Sequence, residues 1–217
     1  MQLLFATGNK SKLEAMQEPA SRAGIRLIGL DGITTPLPEI DETGASPLDN
    51  ARIKALAYYK ALKIPLFSCD SGLYIDGLDD TRQPGVYVRR INGRRLNDDE
   101  MIAHYSAIAA EFGGSVTARY RNAICLVLGD GSIHEYAGDD IATDRFMIVA
   151  APHPKRSEGF PIDSLSVHIP SGKYYYDIEG RLEEKLGFAD GFAAFFRRAL
   201  HDGAAAQSAA PQRSEEA

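Results

Sequence analysis

The chain has 217 residues, enough for one domain or a two-lobed one that buries roughly 70% of its unfolded surface without disulfide or zinc staples. Its 24 basic and 30 acidic side chains give a net charge of −6, which leaves no basic excess to offset a phosphate backbone and so excludes nucleic acid as a bulk partner. No window approaches the roughly 18 apolar residues of a membrane span, the first ten residues lack the basic and apolar regions of a signal peptide, and Cys69 and Cys125 sit in apolar runs without a C-x-x-C or zinc spacing. A cytoplasmic protein in a reducing compartment, with no membrane partner, is the expectation.

Residues 1–7 read as a short buried strand running straight into Gly8-Asn9, and 11–22 place Leu13, Met16 and Ala20 at helical spacing. Residues 25–30 form a second strand candidate, and a loop containing Pro36 and Pro38 then delivers Glu39, Asp41 and Glu42. A helix is expected over 47–62, with Pro47 in its first turn and Ala51, Ala55, Leu56 and Tyr59 on the apolar side. Residues 65–76, P-L-F-S-C-D-S-G-L-Y-I-D, read as two strand pieces about a polar D-S-G kink.

After P-G-V-Y come four arginines, Arg89, Arg90, Arg94 and Arg95, as a local basic cluster in an acidic chain. Residues 97–112 are helical by pattern, opened by an Asn97 cap and Asp98, Asp99 and Glu100 in the first turn. A-I-C-L-V-L, then G-D-G, then I-H-E-Y-A-G within 116–147 predict a hairpin about a tight turn, so antiparallel strands join the α/β units in a mixed sheet. A helical pattern returns over 182–200, and residues 203–217, with no aliphatic side chain larger than Ala, are expected to be a disordered tail. No repeat of 20 to 50 residues is present.

Three places can carry chemistry. In T-G-N-K-S-K, residues 7–12, hydroxyl, amide and ammonium donors surround a glycine turn at a helix start, where backbone N–H groups and the helix dipole favour an anion. The spacing is not that of the P-loop, and Asn9 or Ser11 equally serves as a plain helix cap. Asp70, a carboxylate embedded among Leu66, Phe67, Leu73 and Ile75, needs a partner; Mg²⁺ suits a site of one or two carboxylates plus substrate phosphates, and a turn-capping aspartate is the alternative. Glu39 and Asp41 read equally as a solvated acidic loop. Lys54, four residues after Asn50 on one helix face, reaches either a phosphate or open water. The arginine cluster suits a small anionic ligand as well as it suits a solvated loop. The five histidines are scattered and take no role, and Ser71 in D-S-G is not a G-x-S-x-G nucleophile.

Taken in order, T-G-N-K-S-K-L-E, E-T-G-x-x-x-x-x-N-A-x-x-K-A, P-L-F-S-C-D-S-G-L-Y-I-D-x-L and P-G-V-Y resemble the consecutive motifs of the inosine triphosphate pyrophosphatase family, over residues 1 to about 90 and more weakly to about 177. The resemblance implies an elongated mixed-sheet α/β fold of two lobes around a central cleft, spanning 1–202 as a single domain, usually homodimeric. It also implies Mg²⁺-dependent hydrolysis of a non-standard purine nucleoside triphosphate such as ITP, XTP or dITP to monophosphate and pyrophosphate. Carried to matching positions, Thr7, Gly8, Asn9 and Lys12 would bind phosphates. Glu42 and Asp70 would hold the metal, Lys54 would contact the triphosphate, and Asp70 would orient or deprotonate water with Ser71 beside it. Arg89 belongs to the substrate-binding set. Later, G-F-P-I-D would supply Phe160 and Asp163, and Lys173 in S-G-K would touch substrate.

The chain also departs from the family pattern. Cys69 stands where an acid usually precedes the D-S-G aspartate, and Ile162 replaces the aromatic of G-F-G-Y-D. The C-terminal S-H-R that reads a 6-keto purine is missing, residues 186–192 reading L-G-F-A-D-G-F. An altered base preference follows as an expectation, with Asp190 accepting from an exocyclic amine. The competing readings are a non-catalytic nucleotide-binding relative and an enzyme acting on another phosphorylated metabolite.

Overall fold

A computed structural model describes residues 1–91, 93–178 and 188–208. Among them the strands are β1 (Gln2–Phe5), β2 (Arg26–Ile28), β3 (Leu66–Ile75), β4 (Arg90–Ile91), β5 (Arg94–Arg95), β6 (Ser115–Val127), β7 (Ile133–Tyr136), β8 (Phe146–Val149), β9 (Ser166–His168) and β10 (Lys173–Tyr174). The α-helices are α1 (Lys10–Arg22), α2 (Pro47–Leu62), α3 (Asp98–Glu111) and α4 (Ala189–Ser208). One eight-stranded sheet runs β10-β9-β8-β6-β3-β1-β2, with β7 paired to β6, and β4–β5 form a separate hairpin. β1 is parallel to β2 and β3, and the remaining ladders are antiparallel, so the sheet is mixed as the sequence indicates.

The spine is β3 against β6, in register from Leu66↔Val127 to Ile75↔Ala118. On its other edge β6 pairs with β8 over Ser115 to Ala118 and with β7 over Ile124 to Val127. Each end of the spine carries its own core. At one end Phe5, Phe67, Ile124 and Leu126 pack under α1 and α4, while Leu4, Leu66 and Cys125 pack on the opposite face against Ala51 and Ala55 of α2. At the other end Leu73, Ile75, Ala118 and Ile148 pack on Met101, Tyr105 and Ile108 of α3. Asp70 and Ser71 fall where the chain crosses between these cores, which is why polar residues interrupt an otherwise apolar strand.

The expected kink at D-S-G is therefore corrected: β3 is one continuous strand. Gly72 is there for a close approach, since a Cβ on it would stand 3.0 Å from the Gly85 backbone, and Leu73 and Gly85 exchange both backbone hydrogen bonds. α4 runs to Ser208, six residues into the expected tail; the predicted helical residues 182–187 and the tail beyond 208 lie outside the described residues.

α2 fills the predicted span. Ser46 and Asp49 form a capping box, Pro47 sits in the first turn, and Lys63 closes the helix in the left-handed conformation. A bidentate pair from Arg52 to Glu135 of β7, at 2.5 and 2.6 Å, ties this helix to the spine. α2 thus presents Asn50 and Lys54, one turn apart, to the middle of β3.

Candidate active site

A cleft of about 690 Å³ opens where the two cores meet. It is lined by Ala6, Thr7, Gly8, Asn9 and Lys12 from the first turn, by Pro38, Ile40 and Glu42 from the acidic loop, and by Lys54 and Tyr58 from α2. Cys69 and Asp70 of β3 form its floor, with Arg89 and Arg95 on the remaining side. Segments separated by up to 89 positions in sequence thus share one hollow, and the three chemical features read from the sequence converge there.

Asp70 is at the centre and is 8% exposed. Its Oδ1 accepts from Lys54 Nζ at 2.9 Å, and the same ammonium donates to Glu42 Oε2 at 3.2 Å. Its Oδ2 accepts from Asn50 Nδ2 at 3.1 Å. The orientation of Asn50 is set in turn by Gly44, whose N–H donates to Asn50 Oδ1 at 2.8 Å. Along β3, Asp70 turns toward α2 and Ser71 to the opposite face. The Asp70 carboxylate is satisfied by a cation and an amide, not by the turn-capping bonds that were its alternative reading.

Gly44 explains the glycine of E-T-G. A Cβ at that position would lie 2.6 Å from Asn50 Oδ1 and from the Asp49 side chain, so the loop carrying Glu42 reaches α2 only if residue 44 has no side chain. Gly44→Ala is expected to push this loop off the helix and lower turnover at least tenfold while costing about 1–2 kcal/mol of stability. Parallel kinetic and thermal-unfolding measurements check this, and parent-like kinetics would show that the loop contact is dispensable.

In the first turn, Asn9 caps α1 by accepting from Lys12 N at 3.2 Å, and Thr7 Oγ1 accepts from Asn9 N at 3.2 Å. The helix-cap reading is thus realised. It coexists with an anion-facing role, because the same turn aims the N-terminal end of α1 and Lys12 into the cleft. Cys69 is buried, and burial pushes its thiol up to about 12, partly offset by Lys12 and Lys54. It stays neutral at physiological pH, so the departure from the family's acid removes a charge from the floor.

Arg89 is the wall between the cleft and a smaller cavity of about 130 Å³ lined by Val88, Met101, Tyr120, Phe160, Pro161, Ile162 and Asp163. Its guanidinium donates to Asp98 Oδ1 at 2.5 Å and to the Gly159 carbonyl at 2.9 Å, which holds the Asp98 carboxyl below the usual carboxylate range. Asp163 faces solvent on one side, while the protein around it raises its carboxyl to about 6 by desolvation. A 190 Å³ hollow lined by Phe146, Tyr175 and Tyr176 continues beyond Tyr120 and Asp163.

Of the expected contributors, Phe160 and Asp163 line the smaller cavity beyond Arg89, and three others reach neither hollow. Ser71 donates its hydroxyl to Asn122 Oδ1 of β6 at 2.8 Å, as strand alternation requires of a residue next to Asp70. Lys173 is exposed on the edge strand β10 opposite His168 and lines none of these cavities. Asp190 pairs with Arg22 at 2.6 Å in the last turn of α1. This 13-residue helix is roughly 20 Å long, which sets the Asp190–Arg22 pair at the end of α1 away from the Asn9 turn. Asn50, in contrast, belongs to the site through its bond to Asp70 without carrying a motif of its own. The signal was its i,i+4 spacing to Lys54, which places both on the face that meets β3.

The carboxylates of Glu42 and Asp70 both face the cleft and are the hard oxygen donors that a divalent cation takes. No group of three or more His, Cys, Asp or Glu capable of holding a metal exists among the described residues, so there is no self-sufficient protein cage. The Glu42 and Asp70 carboxylates, bridged by the Lys54 ammonium, would hold a cation that keeps several waters and completes its shell with substrate phosphates, as Mg²⁺ does.

The Ham1 family model matches residues 3–160. A dITP/XTP pyrophosphatase of Deinococcus deserti is 32% identical over 186 residues, covering 85% of this chain and 81% of the relative. One from Rhodopseudomonas palustris is 38% identical over 174 residues, covering 78% and 77%. Among solved structures, a HAM1 protein from Coxiella burnetii superposes with a TM-score of 0.68 at 22% identity, over 93% of this chain and 99% of that one, and so shares the fold. The resemblance read from the ordered N-terminal motifs is borne out.

Proposed function

The chain belongs to the Ham1 family, and from that premise we propose that its cleft hydrolyses a nucleoside triphosphate to the monophosphate and pyrophosphate with Mg²⁺ on Glu42 and Asp70. The observation that carries the proposal is Lys54 Nζ suspended between those two carboxylates, in a hollow whose opposite wall is the donor-rich turn of residues 7–12. The names of the Deinococcus and Rhodopseudomonas relatives support the same reaction.

Phosphoanhydride hydrolysis is slow because an anionic phosphorus repels the nucleophile and charge must move onto the leaving group. Bound Mg²⁺ supplies charge neutralisation and polarisation of the phosphoryl oxygens. Lys12 and the backbone N–H groups of the first turn bind the phosphates, and Lys54 shifts part of its charge from the carboxylates to them. Asp70 orients a water for in-line attack and takes its proton; the water oxygen bonds to the α-phosphorus as the bridging oxygen leaves with pyrophosphate. Positioning and electrostatics suffice, with no covalent intermediate.

The base extends past Arg89 toward Phe160 and Asp163. An ionised Asp163 is an acceptor only and takes an N–H such as that at N1 of a keto purine. Its carboxyl titrates near 6, so kcat/KM for inosine or xanthosine triphosphate is expected to rise with pH through an inflection close to 6 that Asp163→Asn abolishes. An identical inflection in the variant would assign it to the substrate phosphates instead.

The primary test is a panel of common and deaminated nucleoside triphosphates with Mg²⁺ or with a chelator, reading phosphate and pyrophosphate separately. Pyrophosphate release that stops with the chelator is expected. Nucleotide binding without release would identify a non-catalytic relative.

A further inference from the structure

The four arginines after P-G-V-Y are not equivalent. Arg89 is held by Asp98 and Arg94 by Glu100, at 2.5 and 2.6 Å, so acids from the first turn of α3 neutralise two of them. Arg90 and Arg95 face each other directly across the β4–β5 ladder, and neither side chain makes an ion pair or hydrogen bond among the described residues. Like charges set opposite on adjacent strands destabilise the pair, and an isolated two-stranded hairpin has little stability to spare. Such a pair is retained at a cost unless an anion compensates it.

The surroundings point to that anion. Arg90 and Arg95 line a hollow of about 280 Å³ with Asp41, Glu42, Asn50 and Arg89. Arg95 and Glu42 also line the main cleft, so the two hollows are continuous across the proposed metal ligands. Glu42 is engaged by Lys54, and Asp41 makes no ion pair with either arginine. Two guanidinium groups in one hollow match the geometry of phosphate, which accepts parallel N–H bonds from a planar fork, better than that of a ribose or a base.

We propose that Arg90 and Arg95 form an anion subsite for the distal phosphates of the substrate, the pair that leaves as pyrophosphate. This deepens the reading of the cleft as a triphosphate site and rests on it. The subsite would favour triphosphates over monophosphates, and it would hold the leaving group's charge on a hairpin apart from the main sheet.

The test is calorimetric binding of inorganic pyrophosphate, and separately of a nucleoside monophosphate, in the presence of Mg²⁺. The parent is compared with Arg90→Gln, Arg95→Gln, the double variant, the double lysine variant and Arg94→Gln. Pyrophosphate affinity is expected to fall at least tenfold in the double glutamine variant and to recover in part with lysines. Monophosphate affinity and the Arg94→Gln protein should stay within twofold of the parent. Because the substitutions relieve repulsion, the melting temperature without ligand should not fall. Pyrophosphate binding within twofold of the parent in the double variant, an equal loss of monophosphate binding, or no pyrophosphate binding by the parent would each overturn the proposal. Pyrophosphate release from the nucleotide panel reports separately: if it is absent while the binding pattern holds, the reaction assignment fails and the subsite stands.

Discussion

Asp70→Asn is expected to lower turnover by at least about 10²–10³ while the protein still folds, because an amide neither carries the charge that holds a divalent cation nor accepts a proton from water. The stability cost also follows from the contacts. Asp70 accepts on both oxygens, from Lys54 and from Asn50 Nδ2. Asn50 cannot flip to compensate, since Gly44 N–H fixes its oxygen. One face of the new amide therefore meets a donor, and a donor left unpaired in this setting costs about 1–3 kcal/mol. For a chain of this size that is a fall in melting temperature of a few degrees. Kinetics with Mg²⁺ and calorimetric unfolding check both parts; near-parent turnover would remove Asp70 from the chemistry.

Lys54→Met should affect stability more and turnover comparably. The Lys54 and Asp70 side chains are only 13% and 12% exposed, and removing one member of a mostly buried ion pair strands the other charge, at a cost of about 3 kcal/mol. Methionine keeps the length and apolar stem of lysine, so packing against α2 is preserved and the loss reports on charge. A melting temperature lower by roughly 6–12 °C is expected, together with a turnover loss of about 10² or more from the missing phosphate counter-charge. The double variant Lys54→Met with Asp70→Asn should be more stable than Lys54→Met alone, because the stranded carboxylate is gone. Additive losses would show that the two groups do not act as a pair.

Much of this arrangement was legible from local signals. Strand, glycine turn and helix at residues 1–22, and the helix starting at Pro47, follow from caps and periodicity, and both are where the pattern puts them. The phosphate-turn, acidic-loop and D-S-G residues meet in one cleft, which their order in the chain suggested but no local rule could guarantee. D-S-G misled because a polar break inside an apolar run normally marks a turn. Here it marks the passage of one straight strand between two cores, a tertiary circumstance that overrides local chemistry. Ser71 followed the motif into the expected site, yet a period of two sends it to the other face of the sheet. Asp190, expected to meet the base where S-H-R is missing, lies by Arg22, a contact 168 positions long in sequence that no spacing rule anticipates. The like-charge pairing of Arg90 with Arg95 depends on hairpin register, which composition alone does not reveal.

The most direct measurement is a crystal structure of the protein with Mg²⁺ and a nucleoside triphosphate whose α,β-bridge is non-hydrolysable. Density for a cation touching both Glu42 and Asp70, with phosphates against residues 7–12, is the expected result. A nucleotide lodged elsewhere, or a cation bound without either carboxylate, would contradict the assignment of this cleft.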